Sequence, residues 1–271
     1  MANGIAERDA REVGGAWSTF QRHWYADPAP DLAPFVSRYW FVAWDLRGQS
    51  PYRQLIVPYP NVHLSFVNDD AALVHGVARR HTVRVLEGAG RVLGVAFRPG
   101  CFRPFLATSA SVITDRTIAA RDVFGPDMPR SAMAEAADEV EMVRIVESFL
   151  RANLPRPGAT AETAEAVADT VARIASEPDI TRVDTLAGRL NSSVRQQQRL
   201  FAEYVGVGPK WVIRRYRLHE VTERLAKGVA VDWARLAAEL GYADQAHFTR
   251  DFAAMFGEPP TRYAERYPNK P

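Results

Sequence analysis

The chain of 271 residues contains one cysteine, Cys101. It can form no internal disulfide, and that usage fits a reducing, cytoplasmic setting. No apolar run approaches the ~18 residues of a membrane helix, and the first residues are polar and charged, unlike a secretory signal. Charge of one sign is scarce too. Thirty-four Lys/Arg stand against 32 Asp/Glu, a net charge of +2, so any affinity for nucleic acid must rest on local placement and not on a basic coat. Of the six histidines, His63, His75 and His81 are scattered and form no His-x-His pair, so neither a metal site nor a cofactor is expected. What the chain does have is core material. Hydrophobic residues make up 47% and aromatics 10%, ample for folding, and the length suggests two domains. The small positive excess is uneven. From Pro178 onward there are 15 Lys/Arg and 11 Asp/Glu, net +4, so the preceding part is net −2.

That basic last third carries an internal repeat. One copy reads Leu186-Ala187-x-x-Leu190, then Arg199-Leu200-Phe201 and Gly206-Val207-Gly208-Pro209. The other reads Leu236-Ala237-x-x-Leu240-Gly241, then Arg250-x-Phe252 and Gly257-x-Pro259. Leu190 to Leu240 is an offset of 50, and Phe201 to Phe252 is 51. A unit built twice in this way, with two helices and a tight turn, suits placing its second helix in a DNA major groove. Gly241 is a helix-stop signal, and Asn191 takes the same place in the first copy. Ser192-Ser193 and Asp244 offer N-cap chemistry for the following helices. With Phe201 and Phe252 turned inward, Arg195, Gln198 and Arg199 face outward in the first helix, and Gln245, Thr249 and Arg250 in the second. Arg and Gln match guanine and adenine edges bidentately. A solvated helix face is the bland alternative, and the matched Arg-x-Phe placement argues against it.

With these residues in view, positions 174–263 resemble the DNA-binding domain of AraC/XylS-type transcription regulators. Arg215-Tyr216-Arg217-Leu218, Tyr242, Asp244-Gln245, His247-Phe248, Phe256-Gly257, Pro259-Pro260 and Tyr263 add to the likeness. The resemblance implies seven helices, with a long one joining the two units. Pro209 to Lys227 would be that helix, with Leu218, Val221, Thr222 and Leu225 on its inner face and Gly228 at its end. It also implies duplex DNA as partner, with RNA polymerase, a small-molecule effector and a second copy of the chain as further partners. Two departures stand out. Gln197 occupies a position usually held by a buried leucine, so either the first unit is the looser one or Gln197 turns outward as an extra polar contact. Gly208 removes a cap ahead of Pro209.

Ahead of the repeat, Leu154-Pro155-Arg156-Pro157-Gly158-Ala159-Thr160 reads as a link. It divides the chain into 1–155, a sensor and oligomerisation domain, and 156–271, a DNA-binding domain. Just before it, Met142, Ile145, Val146, Phe149 and Leu150 form one helical stripe. That stripe packs either on its own domain or on a second copy. Residues 35–100 read as short strands, Phe35–Trp44, Leu55–Val57, His63–Val67, Leu73–Val77, Thr82–Leu86 and Val92–Phe97, which suggests an antiparallel barrel or sandwich. The stretches His63-Leu64-x-Phe66 and Phe97-Arg98-Pro99-Gly100-x-Phe102-Arg103-Pro104-Phe105 resemble a class of cupin-like domains found ahead of such DNA-binding units. Cys101, near Arg98 and Arg103, is either an activated thiolate or an inert buried thiol. The fold class expected is α+β, an N-terminal antiparallel β-barrel followed by an all-α domain with two helix-turn-helix units. The function expected is a non-enzymatic, effector-controlled transcription regulator. The alternative is a cupin-like enzyme that regulates itself through DNA, for which histidines converging in the barrel would speak.

Overall fold

The structure, a computed structural model, describes residues 20–68, 71–226 and 231–265. The expected strands are there as β2 (Val36–Asp45), β3 (Tyr52–Ile56), β4 (His63–Val67), β5 (Ala71–His75), β6 (Thr82–Leu86) and β7 (Ala89–Phe97). The edge strands β1 (Gln21–Ala26) and β8 (Thr117–Ala119) are additions that their short, mixed sequences did not signal. All pairings are antiparallel. They form a six-stranded sheet in the order β1-β2-β7-β4-β5-β8 and a separate ribbon, β3 with β6. The expected barrel is thus realised as a sheet and a ribbon. Alternation explains the inward face: Val36, Tyr39, Phe41, Leu64, Phe66, Val74, Leu93, Val95 and Phe97 are all buried. One close approach shapes the other face. Gly94 lies opposite Trp40, and a Cβ at Gly94 would sit 2.0 Å from the indole, so only glycine lets Trp40 lie across β7.

After short 3-10 turns at Arg103–Phe105 and Ala110–Ile113 come α1 (Arg121–Phe124), α2 (Arg130–Glu135) and α3 (Glu139–Ala152). Asp138 caps α3 by accepting from the Glu141 amide at 2.8 Å. Its stripe turns inward. Met142, Val146, Phe149 and Leu150 are buried in the main core, and the Phe149 ring meets Phe124 at 5.3 Å. The reading of this stripe as a dimer face is therefore replaced by the internal one: the side chains that would have met a second copy fill the domain's own core.

Seven helices follow among the described residues: α4 (Ala159–Ser176), α5 (Val183–Arg189), α6 (Val194–Tyr204), α7 (Pro209–Ala226), α8 (Trp233–Glu239), α9 (Gln245–Phe256) and α10 (Pro260–Ala264). Pro209 opens α7 as expected; Lys227 and Gly228, the expected end, lie outside the described residues. Of the expected link, 154–158 falls between helices while Ala159 and Thr160 open α4, and the apolar core does not divide there. A single cluster runs from Leu32 in the sheet region to Ile213 in α7, taking in Val167, Leu186 and Phe201. A second cluster begins at Leu218 and gathers Leu236, Phe248, Phe252 and Phe256.

Candidate nucleic-acid interface and adjoining cavity

The two units follow the same local rules. In the first, Leu186 and Ala187 are buried, Asn191 takes a positive φ of 47° at the turn, and the Ser193 side chain accepts from the Gln196 amide to start α6. In the second, Leu236 and Ala237 are buried, Gly241 takes φ 75°, and Asp244 accepts from the His247 amide to start α9. Left-handed turn residues and N-caps of these kinds are what the repeat called for. Phe201 and Phe252 are fully buried. On the opposite face, Arg195, Gln198 and Arg199 are exposed on α6. Gln245 and Arg250 are exposed on α9, with Thr249 half-buried beside them. Among the described residues none of these six makes a side-chain hydrogen bond or ion pair. Gln197 is a correction. It is buried and not turned outward, yet it is not strained, because its Nε2 donates to Ser192 Oγ at 2.9 Å and Ser192 Oγ in turn donates to the Ala187 carbonyl at 3.4 Å. The first unit is therefore not loosened by an orphaned amide.

Sequence reading missed how the sheet region holds both helices. The last carbonyls of a helix lack intrahelical partners. On α6, Ser109 Oγ donates to the Ala202 carbonyl at 3.2 Å, Arg103 pairs with Glu203 at 2.6 Å, and Thr114 Oγ1 donates to the Gly206 carbonyl at 2.7 Å. On α9, the His81 amide and its Nδ1–H both reach the Ala254 carbonyl at 2.9 Å. Nearby, Trp211 Nε1 donates to the Arg79 carbonyl at 3.0 Å. Both second helices are thus gripped by the sheet region at their C-terminal ends. α9 is also tied to α7, where Arg214 reaches His247 at 3.3 Å, and the outward faces of the N-terminal halves, which meet base edges in helix-turn-helix complexes, point away from these contacts.

Beneath the second unit lies a cavity of about 1090 Å³. It is walled by β4–β6 on one side and by α7 and α9 on the other, including Trp211, Arg214, Asp251 and Met255. Six cations line it. Arg79 pairs with Asp115 at 2.5 Å and Arg214 with Asp251 at 2.8 Å. Arg80, Arg84, Arg116 and Lys210 have no acidic partner among the described residues. Ile56, Val57, Val83, Trp40 and Met255 supply apolar wall. At the floor, His63 and His75 face each other across β4 and β5. His63 Nδ1 accepts from Trp40 Nε1 at 3.2 Å, and His75 lies between Ser65 Oγ at 2.7 Å and Thr117 Oγ1 at 3.0 Å. Burial pulls both pKa values down to about 4, helped by His75 and Arg38 at His63 and by Arg84 at His75, so both rings are neutral at pH 7. Two histidines converge, which the sequence did not reveal, but no group of three or more His, Cys, Asp or Glu among the described residues is placed to hold a metal ion. His81, the third histidine, serves as the donor to α9. Cys101 is buried 3.7 Å from the Ala164 carbonyl, and burial pushes its thiol up to about 11, so the inert reading holds over the activated thiolate.

Residues 186–266 match the helix-turn-helix domain family. The C-terminal region is an AraC-type helix-turn-helix domain. Residues 25–119 match DUF6597, a domain family of unknown function. No curated protein matches the chain. Among solved structures, an apo point variant of ToxT from Vibrio cholerae aligns with TM-score 0.42 and 12% identity, over 84% of this chain and 97% of that one. An unsaturated fatty acid-bound wild-type ToxT aligns with TM-score 0.38 and 11% identity, over 80% and 91%. No helix among the described residues is long and apolar enough to cross a membrane.

Proposed function

We propose that this protein is a sequence-specific transcription regulator whose two helix-turn-helix units contact successive segments of one duplex, under the control of a small molecule held in the cavity. The observation that carries the reading is the matched pair of outward helix faces, Arg195, Gln198 and Arg199 on α6 and Gln245, Thr249 and Arg250 on α9, each on a helix whose C-terminal end is held by the sheet region. The functional division is at 155/156, although the core is shared across it. The unpaired cations and the apolar walls of the cavity suit an effector with one anionic group and an apolar body. A ligand there touches the sheet region and α9 together, so it can favour one placement of the second unit over another, as any effector must. Catalysis has no place in this reading. RNA polymerase and a second copy of the chain stay as partners implied by the resemblance.

Footprinting of genomic DNA with the full chain tests it. Arg199→Ala and Arg250→Ala are each expected to lower affinity for the footprinted duplex by about 1–3 kcal/mol at fixed salt. Unchanged affinity in both single variants would refute the assignment.

A further inference from the structure

The linking helix α7 carries two arginines that are almost wholly inside the protein, Arg215 at 0% and Arg217 at 1% exposure. Two residues apart on a helix means about 200° around its axis, so they leave α7 on nearly opposite sides. Their partners confirm the split. Arg217 reaches back to α4, donating to the carbonyls of Ile174 and Glu177, and pairs with Glu220 at 2.9 Å. Those carbonyls end α4, where a cation is favourable. Arg215 reaches the sheet region. Its Nε donates to the Pro58 carbonyl, and its guanidinium lies 3.9 Å from the centre of the Tyr59 ring. The Phe256 ring, at the end of α9, is 5.7 Å away. Arg215 therefore touches the sheet region, the linking helix and the second unit at one point, between the place where the large core ends at Ile213 and the place where the second begins at Leu218.

The two anchors differ in completeness. Arg217 leaves only Nε without a partner, whereas both terminal nitrogens of Arg215 are buried with no hydrogen-bond acceptor. A buried guanidinium satisfied at one nitrogen of three forfeits hydration that a single hydrogen bond and two ring contacts only partly replace. The arrangement on the Arg215 side is thus the one that yields first.

We infer that Arg215 and Arg217 are positioning residues that set the rotation of α7, with Arg217 as the fixed anchor and Arg215 as the yielding one through which the sheet region sets where the second recognition helix lies relative to the first. The inference rests on the reading that both units bind one duplex, but docking can be followed without DNA. The His81 amide donates to Ala254, so its hydrogen exchange reports directly on the second unit's contact.

The test uses the full chain with Arg215→Met, Tyr59→Leu and Arg217→Met. Arg215→Met is expected to speed exchange at residues 79–83 and across 245–256 about tenfold or more, with 194–206 unchanged. Arg217→Met is expected instead to speed exchange in 159–176 and to lower the melting temperature. On a duplex selected by the wild type from a random library, inserting about five base pairs, half a helical turn, between the two contacted segments should cost the wild type about tenfold in affinity. Arg215→Met should lose most of that discrimination. If Arg215→Met fails to fold, Tyr59→Leu carries the same expectations from the other side of the contact. Wild-type exchange at 79–83 in a folded Arg215→Met, or equal acceleration in 194–206, overturns the inference. A wild type that selects no duplex refutes the proposed function while the exchange contrast still decides the role of Arg215.

Discussion

In the first helix-turn-helix unit, Leu186, Phe201, Val205 and Val207 belong to the same apolar cluster as the strands; in the second, Leu236, Phe248, Phe252 and Phe256 form a cluster of their own. The sequences of the units match, down to Gly206 and Gly257 after the second helix, yet the first is fused to the sheet region and the second rests on it across a cavity. A repeat fixes the local shape of each copy through caps, turns and an inward phenylalanine. It does not fix what each copy packs against, because that depends on the rest of the chain. For a DNA reader the asymmetry is useful. One recognition helix is fused to the sheet core, and under the proposed function the other is the one that an effector in the gap would reposition.

The paired glycines offer the largest break in that comparison. Gly206 has φ 93°, and a Cβ there would lie 2.7 Å from Thr114 Oγ1 and 3.0 Å from the Ala110 carbonyl oxygen, which is backbone and cannot swing away. Gly206→Ala should cost about 2–4 kcal/mol, combining left-handed strain with a wedge in the seam. Gly257 has φ 80°, but its Cβ would meet the free end of Leu55, which can turn aside. Gly257→Ala should cost only the backbone strain, about 1–2 kcal/mol. Urea denaturation of the two variants measures the difference. Equal costs would mean the first seam is no tighter than the second.

Acid should sharpen the comparison next. His63 and His75, at the cavity floor, are held at about 4 in the folded chain, against an ordinary value near 6.5. Above about pH 6.5 neither state carries the proton and stability is full. Between about 6.5 and 4 the unfolded chain takes up protons that the folded one refuses, so stability falls as pH falls. The expected loss from pH 7 to 4.5 is a few kcal/mol, and His63→Asn with His75→Gln should remove most of it. Because these rings underlie the second unit, exchange at 79–83 should rise with acid before exchange at 194–206 does. A flat stability profile over this window would contradict the burial argument.

Much of the frame was legible because it is local. Six strands announced themselves through β-branched and aromatic runs between turn residues, and Asn191, Ser193, Gly241 and Asp244 placed both turns and caps. The six residues of the free faces could be read from the inward commitment of Phe201 and Phe252. What was not legible depends on contacts more than a hundred residues apart. Arg215 stood out only as part of the family-like run Arg215–Leu218, and nothing in that run or in Pro58-Tyr59 says that it is buried with its guanidinium on the Tyr59 ring. The cavity is assembled from β4–β6, α7 and α9, so no window of sequence contains it. The stripe from Met142 to Leu150 shows the same limit from another side. Periodicity gives an apolar face but not its partner, and here the partner is the molecule's own core.

The smallest expected effect concerns Gln197, the residue that made the first unit look like the weaker copy. Its Nε2 has a partner in Ser192 at 2.9 Å, and neither of its polar atoms is a buried orphan. Gln197→Leu therefore removes one hydrogen bond, worth about 1 kcal/mol, and relieves no unpaid desolvation. The added apolar burial is of similar size, but a branched side chain must fit a space shaped for a straight one. The net expectation is a slight destabilisation, under about 1 kcal/mol. Because Ser192 Oγ keeps the Ala187 carbonyl, the loss should depend on the hydroxyl. In a double-mutant cycle, Ser192→Ala with Gln197→Leu should cost less than the two single changes together, since removing both partners of a hydrogen bond is cheaper than removing one. A melting temperature that rises in Gln197→Leu alone would restore the looser first unit and invert the contrast between the two copies.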